Sequence, residues 1–149
     1  KLGIPGEELN KVTYELIEPE QYQQRHVAVV GGGNAAAEAV LMLADQGLGN
    51  KVHMIVRGAS MDRTNEANLK RVNALQARGL VEIWFDSQVQ AIAPDKIQVS
   101  RGGANVLLKN DFVFIFAGAE MPRAFLMSLG VKIDKMYGQR GLGDDEESA

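Results

Sequence analysis

Residues 26–36 read HVAVVGGGNAA, and this stretch decides the fold. The apolar, Val-rich run over residues 26–30 predicts a buried strand of a parallel sheet. Glycines follow it, and residues 34–46 then predict a helix because they are rich in Ala, Leu and Met. The glycines fit the pattern G-x-G-x-x-A, which is typical of dinucleotide binding when it lies between a strand and a helix.

Each position of this pattern has a physical purpose. Gly31 permits a tight turn, Gly33 lets the backbone approach a pyrophosphate, and Ala36 lets the helix pack closely on the sheet. The unpaired N–H groups and the positive dipole end of the helix then face the anion. We predict that the pyrophosphate is bound by a glycine loop made of Gly31, Gly32, Gly33, Asn34, Ala35 and Ala36. The alternative is a turn with a purely structural role.

Strand and helix patterns alternate beyond this unit. Residues 51–56 and 81–85 predict strands, residues 65–78 predict a helix between them, and residues 112–116 predict another buried strand. Such alternation with short links is typical of a parallel α/β sheet.

Shorter segments interrupt this alternation after residue 85. They cover residues 89–93, 97–100 and 106–108, and turn signals at Pro94-Asp95 and Gly102-Gly103 separate them. Two-residue turns join antiparallel strands. The predicted fold is therefore α/β, a Rossmann-like three-layer domain with a parallel sheet and an added antiparallel β-meander.

The remaining segments predict the domain organisation. Residues 1–24 contain Gly and Pro without sustained periodicity and predict an interdomain lead-in. Residues 25–137 form the predicted NAD(P)-binding domain, and residues 138–149, rich in Gly, Asp and Glu, predict a flexible acidic tail. Because the chain opens on Lys1 rather than Met, we expect a piece of a longer protein.

Composition excludes several classes of function. The 149 residues include 16 Lys and Arg against 19 Asp and Glu, a net charge of −3 that predicts no nucleic-acid or membrane partner. No signal peptide is visible, so we expect a cytoplasmic location.

The chain has no Cys, which excludes disulfides and thiol catalysis within it. His26 and His53 lack partners at metal-ligand spacing, so we expect structural roles and no metal site.

The end of the second strand discriminates between NAD and NADP. NAD sites usually have an acidic residue there for the ribose 2′-hydroxyl, whereas NADP sites place an arginine nearby for the 2′-phosphate. Here Arg57 and Gly58 follow the strand, Arg63 lies further along the loop, and the nearest acid is Asp62. We therefore predict NADPH rather than NADH, bound through Arg57, Gly58 and Arg63. The alternative is that both arginines are ordinary solvated charges.

A second tight passage follows the strand at residues 112–116. The small residues Ala117, Gly118 and Ala119 would let the nicotinamide half of the cofactor lie close to the backbone. The alternative is a plain turn. Since the cofactors carry hydride chemistry, we predict no catalytic acid or base in this chain.

Three segments resemble the thioredoxin-reductase-like class of the pyridine nucleotide-disulfide oxidoreductases. They read LGIPGE at residues 2–7, VAVVGGGNAAAEA at residues 27–39 and DFVFIFAG at residues 111–118. Proteins of this class are flavoproteins with one dinucleotide-binding domain for FAD and one for NAD(P)H. The resemblance implies that the IPGE segment at residues 4–7 crosses from the FAD domain into the NADPH domain. It also implies that Arg57 and Arg63 are the arginines for the 2′-phosphate.

Two departures narrow the resemblance. The chain has one glycine fingerprint instead of two, and a flavin domain does not fit into the lead-in, so FAD would be held by a missing domain. Residues 14–17 read YELI where thioredoxin reductases have C-x-x-C. The chain therefore resembles the branch without that pair, which includes bacillithiol-disulfide-reductase-like and ferredoxin–NADP-reductase-like flavoproteins.

The resemblance implies an NADPH-binding domain of a flavin-dependent oxidoreductase, which positions NADPH for hydride transfer to FAD. The expected partners are the FAD-binding domain of the same parent chain and an unknown electron acceptor; a homodimer of the parent stays open, and the isolated fragment is expected to be inactive. Glu38 either faces the flavin or is a solvated acid near a positive helix end. The alternative function is a non-catalytic NAD(H)-sensing regulatory module. A methyltransferase would need an acidic residue at the position of Arg57.

Overall fold

The computed structural model describes residues 2–16, 18–45, 47–61 and 63–116. In chain order the elements are β1 (Val12–Thr13), a 3-10 helix (Pro19–Gln21), β2 (His26–Val30), α1 (Asn34–Leu43), β3 (Lys51–Ile55), α2 (Glu66–Ala77), β4 (Val81–Trp84), β5 (Ser87–Ile92), β6 (Lys96–Arg101), β7 (Ala104–Lys109) and β8 (Phe112–Ile115). The predicted acidic tail at residues 138–149 lies outside the described residues. In the part of the chain that the structure describes, no helix is long and apolar enough to cross a membrane.

Five strands form a parallel sheet in the order β1-β8-β2-β3-β4. The central strand β2 pairs with β3, where His26 lies opposite Lys51, and with β8, where Val27 lies opposite Phe112. From β2 the chain proceeds to β3 and β4 on one side and returns on the other side through β8. The strand order therefore reverses between β2 and β8, and ligands of open α/β sheets bind at the carboxyl edge of such a reversal.

The two faces of this sheet are covered by different structures. On one face, Val27 and Val29 pack against the helices α1 and α2. On the other face, Ala28 and Val30 pack against an antiparallel sheet in the order β5-β6-β7. Helices, parallel sheet and antiparallel sheet thus form three layers, which confirms the predicted Rossmann-like fold with an added meander.

The lead-in contains β1, which the sequence did not predict. This strand pairs with β8 and extends the parallel sheet by one edge strand. Lys11 Nζ donates hydrogen bonds to the carbonyl oxygens of Ala93 (2.6 Å) and Asn110 (3.3 Å), and the amide of Ile92 donates to the carbonyl oxygen of Pro5 (2.8 Å). The beginning of the lead-in is therefore attached to the meander. Two strand residues are too few to produce a periodic pattern in the sequence.

Candidate dinucleotide-binding site

The glycine loop connects β2 to α1 at the carboxyl edge of the parallel sheet. Gly31 has a φ of 142°, which favours glycine, and its N–H donates to the carbonyl oxygen of Ile55 (3.0 Å). A Cβ on Gly32 would lie 3.1 Å from Cγ1 of Val56, whereas a Cβ on Gly33 would meet no atom within 4 Å. Gly32 is thus close to the chain that follows β3, and Gly33 faces open space.

Helix α1 begins at this open space. Its N-cap is Gly33, which has no side chain to accept a hydrogen bond from the first amides. Asn34 and Ala35 are exposed, while Ala36 is fully buried where the helix packs on the sheet. The first N–H groups of a helix have no acceptor within the helix, and the positive end of its dipole lies there. This end of α1 therefore has the geometry of an anion-binding site.

The end of β8 lies beside the glycine loop. The amide of Phe116 donates a hydrogen bond to the carbonyl oxygen of Val30 (2.8 Å), so the chain leaves β8 next to the start of the loop. Both strand ends flank the reversal of strand order, the usual position of a ligand crevice. The predicted nicotinamide contacts Ala117, Gly118 and Ala119 lie outside the described residues.

A second loop packs against the glycine loop. Its residues 63–65, which we call the anchored segment, precede α2. Arg63 forms a parallel backbone bridge with Gly33. The sequence predicted Arg63 as a site residue, and the structure brings it beside the glycine loop although 30 positions separate it from Gly33.

Two side-chain hydrogen bonds hold the anchored segment in place. Thr64 Oγ1 donates to the carbonyl oxygen of Gly32 (2.8 Å), and the amide of Asn65 donates to Asn34 Oδ1 (2.7 Å). Neither Thr64 nor Asn65 was predicted from the sequence as a site residue. A local signal exists only for Asn65, which caps α2 by accepting a hydrogen bond from the amide of Asn68 (2.8 Å).

Arg57 and Gly58 follow β3 and are exposed at the same edge of the sheet. Buried Val56 precedes them, and its amide donates to the carbonyl oxygen of Trp84 (2.8 Å). The carbonyl oxygen of Gly58 accepts a hydrogen bond from the amide of Asp86 (2.9 Å). The backbone on both sides of Arg57 is thereby held by the chain at the end of β4, and its charged side chain is accessible to solvent.

Glu38 lies one turn into α1 and is exposed. Its Oε2 atom is 3.5 Å from Nδ2 of Asn68, a residue of α2 that is 8% exposed. The carboxylate therefore contacts the neighbouring helix, and the predicted choice between flavin and solvent as its surroundings stays open.

His53 of β3 contacts Glu82 of the neighbouring strand β4 and not the glycine loop. Its Nε2 atom is 2.9 Å from Oε1 of Glu82, and its ring meets that of Trp84 edge-on with 5.3 Å between centroids. Burial lowers the pKa of His53, and the Glu82 carboxylate opposes this shift. Trp84 belongs to the core, and Arg101 lies over its ring at 4.2 Å.

Among the described residues, no three His, Cys, Asp or Glu side chains are grouped so that they could hold a metal ion.

A glycine loop at a helix N-terminus, placed at the strand-order reversal of a parallel sheet, defines a Rossmann-type domain. The sequence matches the family described as pyridine nucleotide-disulphide oxidoreductase over residues 1–148, and the chain belongs to this family. This confirms the resemblance, and the lack of cysteine agrees with the branch that has no C-x-x-C.

Individual relatives are similar over nearly the whole chain. Bacilliredoxin reductase Bdr of Bacillus subtilis (strain 168) is 33% identical over 141 residues, which are 93% of this chain and 43% of that protein. Ferredoxin–NADP reductase of Ignicoccus hospitalis is 27% identical over 152 residues, with 98% of this chain and 47% of that protein covered. The structure of bacillithiol disulfide reductase Bdr (YpdA) from Bacillus cereus is similar with a TM-score of 0.77 and 28% identity, covering 100% of this chain and 48% of that chain. The chain thus spans less than half the length of each of these three relatives.

Proposed function

We propose that the chain binds NADPH at the carboxyl edge of the parallel sheet and presents it to FAD held by a domain outside this chain. The observation that carries the proposal is the open space at Gly33. A Cβ there would meet nothing within 4 Å, and this space adjoins the N-terminus of α1. A pyrophosphate needs both close backbone approach and unpaired N–H groups, and this position offers both.

The residues of the chain fit the two charged parts of the cofactor. The glycine loop would hold the pyrophosphate, and Arg57 and Arg63 would hold the 2′-phosphate, because a guanidinium forms strong charge-assisted hydrogen bonds with phosphate oxygens. The cofactor supplies a hydride when bound. The role of this chain is to bind and orient it, and that role requires no acid or base among its residues.

Membership of the family supports a reductase as the parent protein. The relatives named above are reductases by their names, and one of them is named for NADP. Because each is more than twice as long as the part matched here, the flavin and the site of the electron acceptor belong, in our proposal, to the remainder of the parent.

Calorimetric titration of the chain with NADPH, NADH and FAD tests the proposal. We expect NADPH to bind more tightly than NADH, and we expect the purified chain to carry no flavin absorbance and to oxidise no NADPH by itself. Failure of both dinucleotides to bind would refute the proposal, and flavin that copurifies with the chain would refute the assignment of its loop. Equal or tighter binding of NADH would refute the preference for NADPH.

A further inference from the structure

The anchored segment joins the loop that would hold the pyrophosphate to an arginine that would hold the 2′-phosphate. Three contacts join the two: the Gly33–Arg63 backbone bridge, the Thr64 Oγ1–Gly32 O hydrogen bond of 2.8 Å and the Asn65 N–Asn34 Oδ1 hydrogen bond of 2.7 Å. The last two depend on single side chains, those of Thr64 and Asn34.

We propose that Thr64 and Asn34 are positioning residues that set the preference for NADPH by fixing the backbone of Arg63 beside Gly33. This inference rests on the proposed function. In this proposal neither side chain touches the 2′-phosphate, and both influence the choice of dinucleotide through Arg63.

Thr64 is suited to this role because it is held from two directions. Only 8% of the residue is exposed; its hydroxyl donates to Gly32 O, and its amide donates to the carbonyl oxygen of Met61 (3.1 Å). Met61 itself is buried in the same core cluster as the inner face of α1. Thr64 therefore fixes the backbone of the preceding residue, Arg63. Arg63 itself is exposed.

Pre-positioning matters more for an exposed arginine than for a buried one. An exposed guanidinium is screened by water and salt, so its contribution to phosphate binding depends on how well it is placed. A fixed backbone removes part of the ordering that binding would otherwise require. The contribution of Arg63 therefore depends on the hydrogen bonds that hold the anchored segment.

Asn34 completes the arrangement from the other side. It is the first residue of α1, and its side chain accepts from the N-cap residue of α2. Removal of the side chain leaves the Asn34 amide in place for the pyrophosphate. The loss should therefore fall on the 2′-phosphate, which NADH lacks, and not on the pyrophosphate, which both dinucleotides contain.

The test compares NADPH and NADH affinities of Thr64→Val, Thr64→Ser and Asn34→Ala by calorimetry. Thr64→Val keeps the branched shape and removes the donor, and we expect it to weaken NADPH by about two- to tenfold, the effect of one net hydrogen bond, with NADH changed by less than about twofold. Asn34→Ala should act in the same direction, and Thr64→Ser should restore most of the NADPH affinity. Thr13→Val is the matched control, because the Thr13 hydroxyl donates to Glu15 O in the lead-in (3.2 Å).

A double-mutant cycle with Arg63→Ala separates positioning from general stability. If Thr64 acts through Arg63, Thr64→Val should cause no further loss of NADPH affinity in the Arg63→Ala background. Equal losses for both dinucleotides, or a persistent NADPH-specific loss without Arg63, would overturn the inference. Should Thr64→Val fail to fold, the exposed Asn34→Ala variant decides by the same criteria.

The outcomes also distinguish this inference from the proposed function. A wild-type chain that binds neither dinucleotide refutes both. A wild-type chain that prefers NADPH, with variants that keep the same ratio of affinities, refutes only the role of Thr64 and Asn34.

Discussion

The hydroxyl of Tyr14 donates a hydrogen bond to the carboxylate of Glu7, with 2.6 Å between Tyr14 Oη and Glu7 Oε2. The amides of Leu2 (2.8 Å) and Gly3 (2.7 Å) donate to the same carboxylate. Burial by itself would raise the pKa of Glu7, but the hydrogen bonds outweigh it and lower this pKa to about 2. Burial and the bond to Glu7 together raise the pKa of Tyr14 to about 12. The start of the lead-in is thus closed around an ionised carboxylate.

Glu7 should therefore make the stability of the chain depend on acid pH. Its pKa falls from an ordinary 4.5 to about 2 on folding, so its contribution is complete above pH 4.5 and is lost as the pH falls towards 2. We expect Glu7→Gln to lower the free energy of unfolding by about 1 kcal/mol at neutral pH, since the site is only half-buried and solvent screens part of the charge. Urea unfolding of both proteins at several pH values measures this, with the exposed neighbour Glu8→Gln as control. A difference that is the same at pH 7 and pH 2 would show that the charge is not involved.

Gly6 should be irreplaceable for a steric reason. It has a φ of 87°, and a Cβ there would lie 1.8 Å from the carbonyl oxygen of Ile92, a backbone atom that the Pro5–Ile92 hydrogen bond holds close. Gly6→Ala should therefore destabilise the chain by about 2–4 kcal/mol. Gly3→Ala is the matched control, because Gly3 has a φ of 72° with nothing within 4 Å, so only about 1–2 kcal/mol of backbone strain is expected. Equal melting temperatures of the two variants would argue against the close contact.

Gly33 should show the opposite behaviour, with binding lost and stability kept. Its φ of −102° suits any residue and a Cβ would find open space, so Gly33→Ala should cost less than about 1 kcal/mol of stability. The methyl group would occupy the space through which a pyrophosphate approaches the backbone, so we expect NADPH and NADH each to bind more than about tenfold more weakly. Gly47→Ala, beyond the other end of α1, is the control. Unchanged affinity in Gly33→Ala would place the pyrophosphate elsewhere.

Local patterns in the sequence were enough to predict most elements of the fold. The strand at residues 26–30 is observed with the predicted bounds, because an apolar run that stops at glycine has few alternatives. The helix predicted over residues 34–46 ends earlier, at Leu43. There the side chain of Asn50 donates to the Leu43 carbonyl oxygen (3.0 Å), which satisfies one of the free acceptors at the helix end. This bond comes from the following loop, so helix propensity does not reveal it.

The candidate site was predictable only in part, for the same reason. The glycine loop has a pattern of its own, and the structure brings Arg63 to it. The contacts that do so, from Thr64 to Gly32 and from Asn65 to Asn34, join residues about 30 positions apart and follow from the packing of α2 beside α1. A threonine before a helix has many common roles, and its sequence context does not specify this one.

Arg57 provides the most direct test of cofactor choice. It is exposed after the end of β3, and its backbone is held on both sides by the chain at the end of β4. A charge-assisted hydrogen bond from an arginine to a phosphate contributes about 1.5–3 kcal/mol, which corresponds to about ten- to a hundredfold in affinity. Arg57→Ala should therefore weaken NADPH by that factor and leave NADH nearly unchanged, while Arg57→Glu should add repulsion and reduce the preference further.

Salt separates this electrostatic effect from a structural one. Because Arg57 is exposed, the ratio of NADPH to NADH affinity in the wild type should fall as the salt concentration rises, and the ratio in Arg57→Ala should respond less. Arg78→Ala is the matched control, since it removes an exposed arginine at the C-terminal end of α2, whereas the anchored segment precedes the N-terminal end. Calorimetric titrations of both dinucleotides into the three proteins at low and high salt measure the six ratios. Equal wild-type affinities for NADPH and NADH, or equal losses of both in Arg57→Ala, would mean that Arg57 is an ordinary solvated charge and that the 2′-phosphate is not recognised at the end of β3.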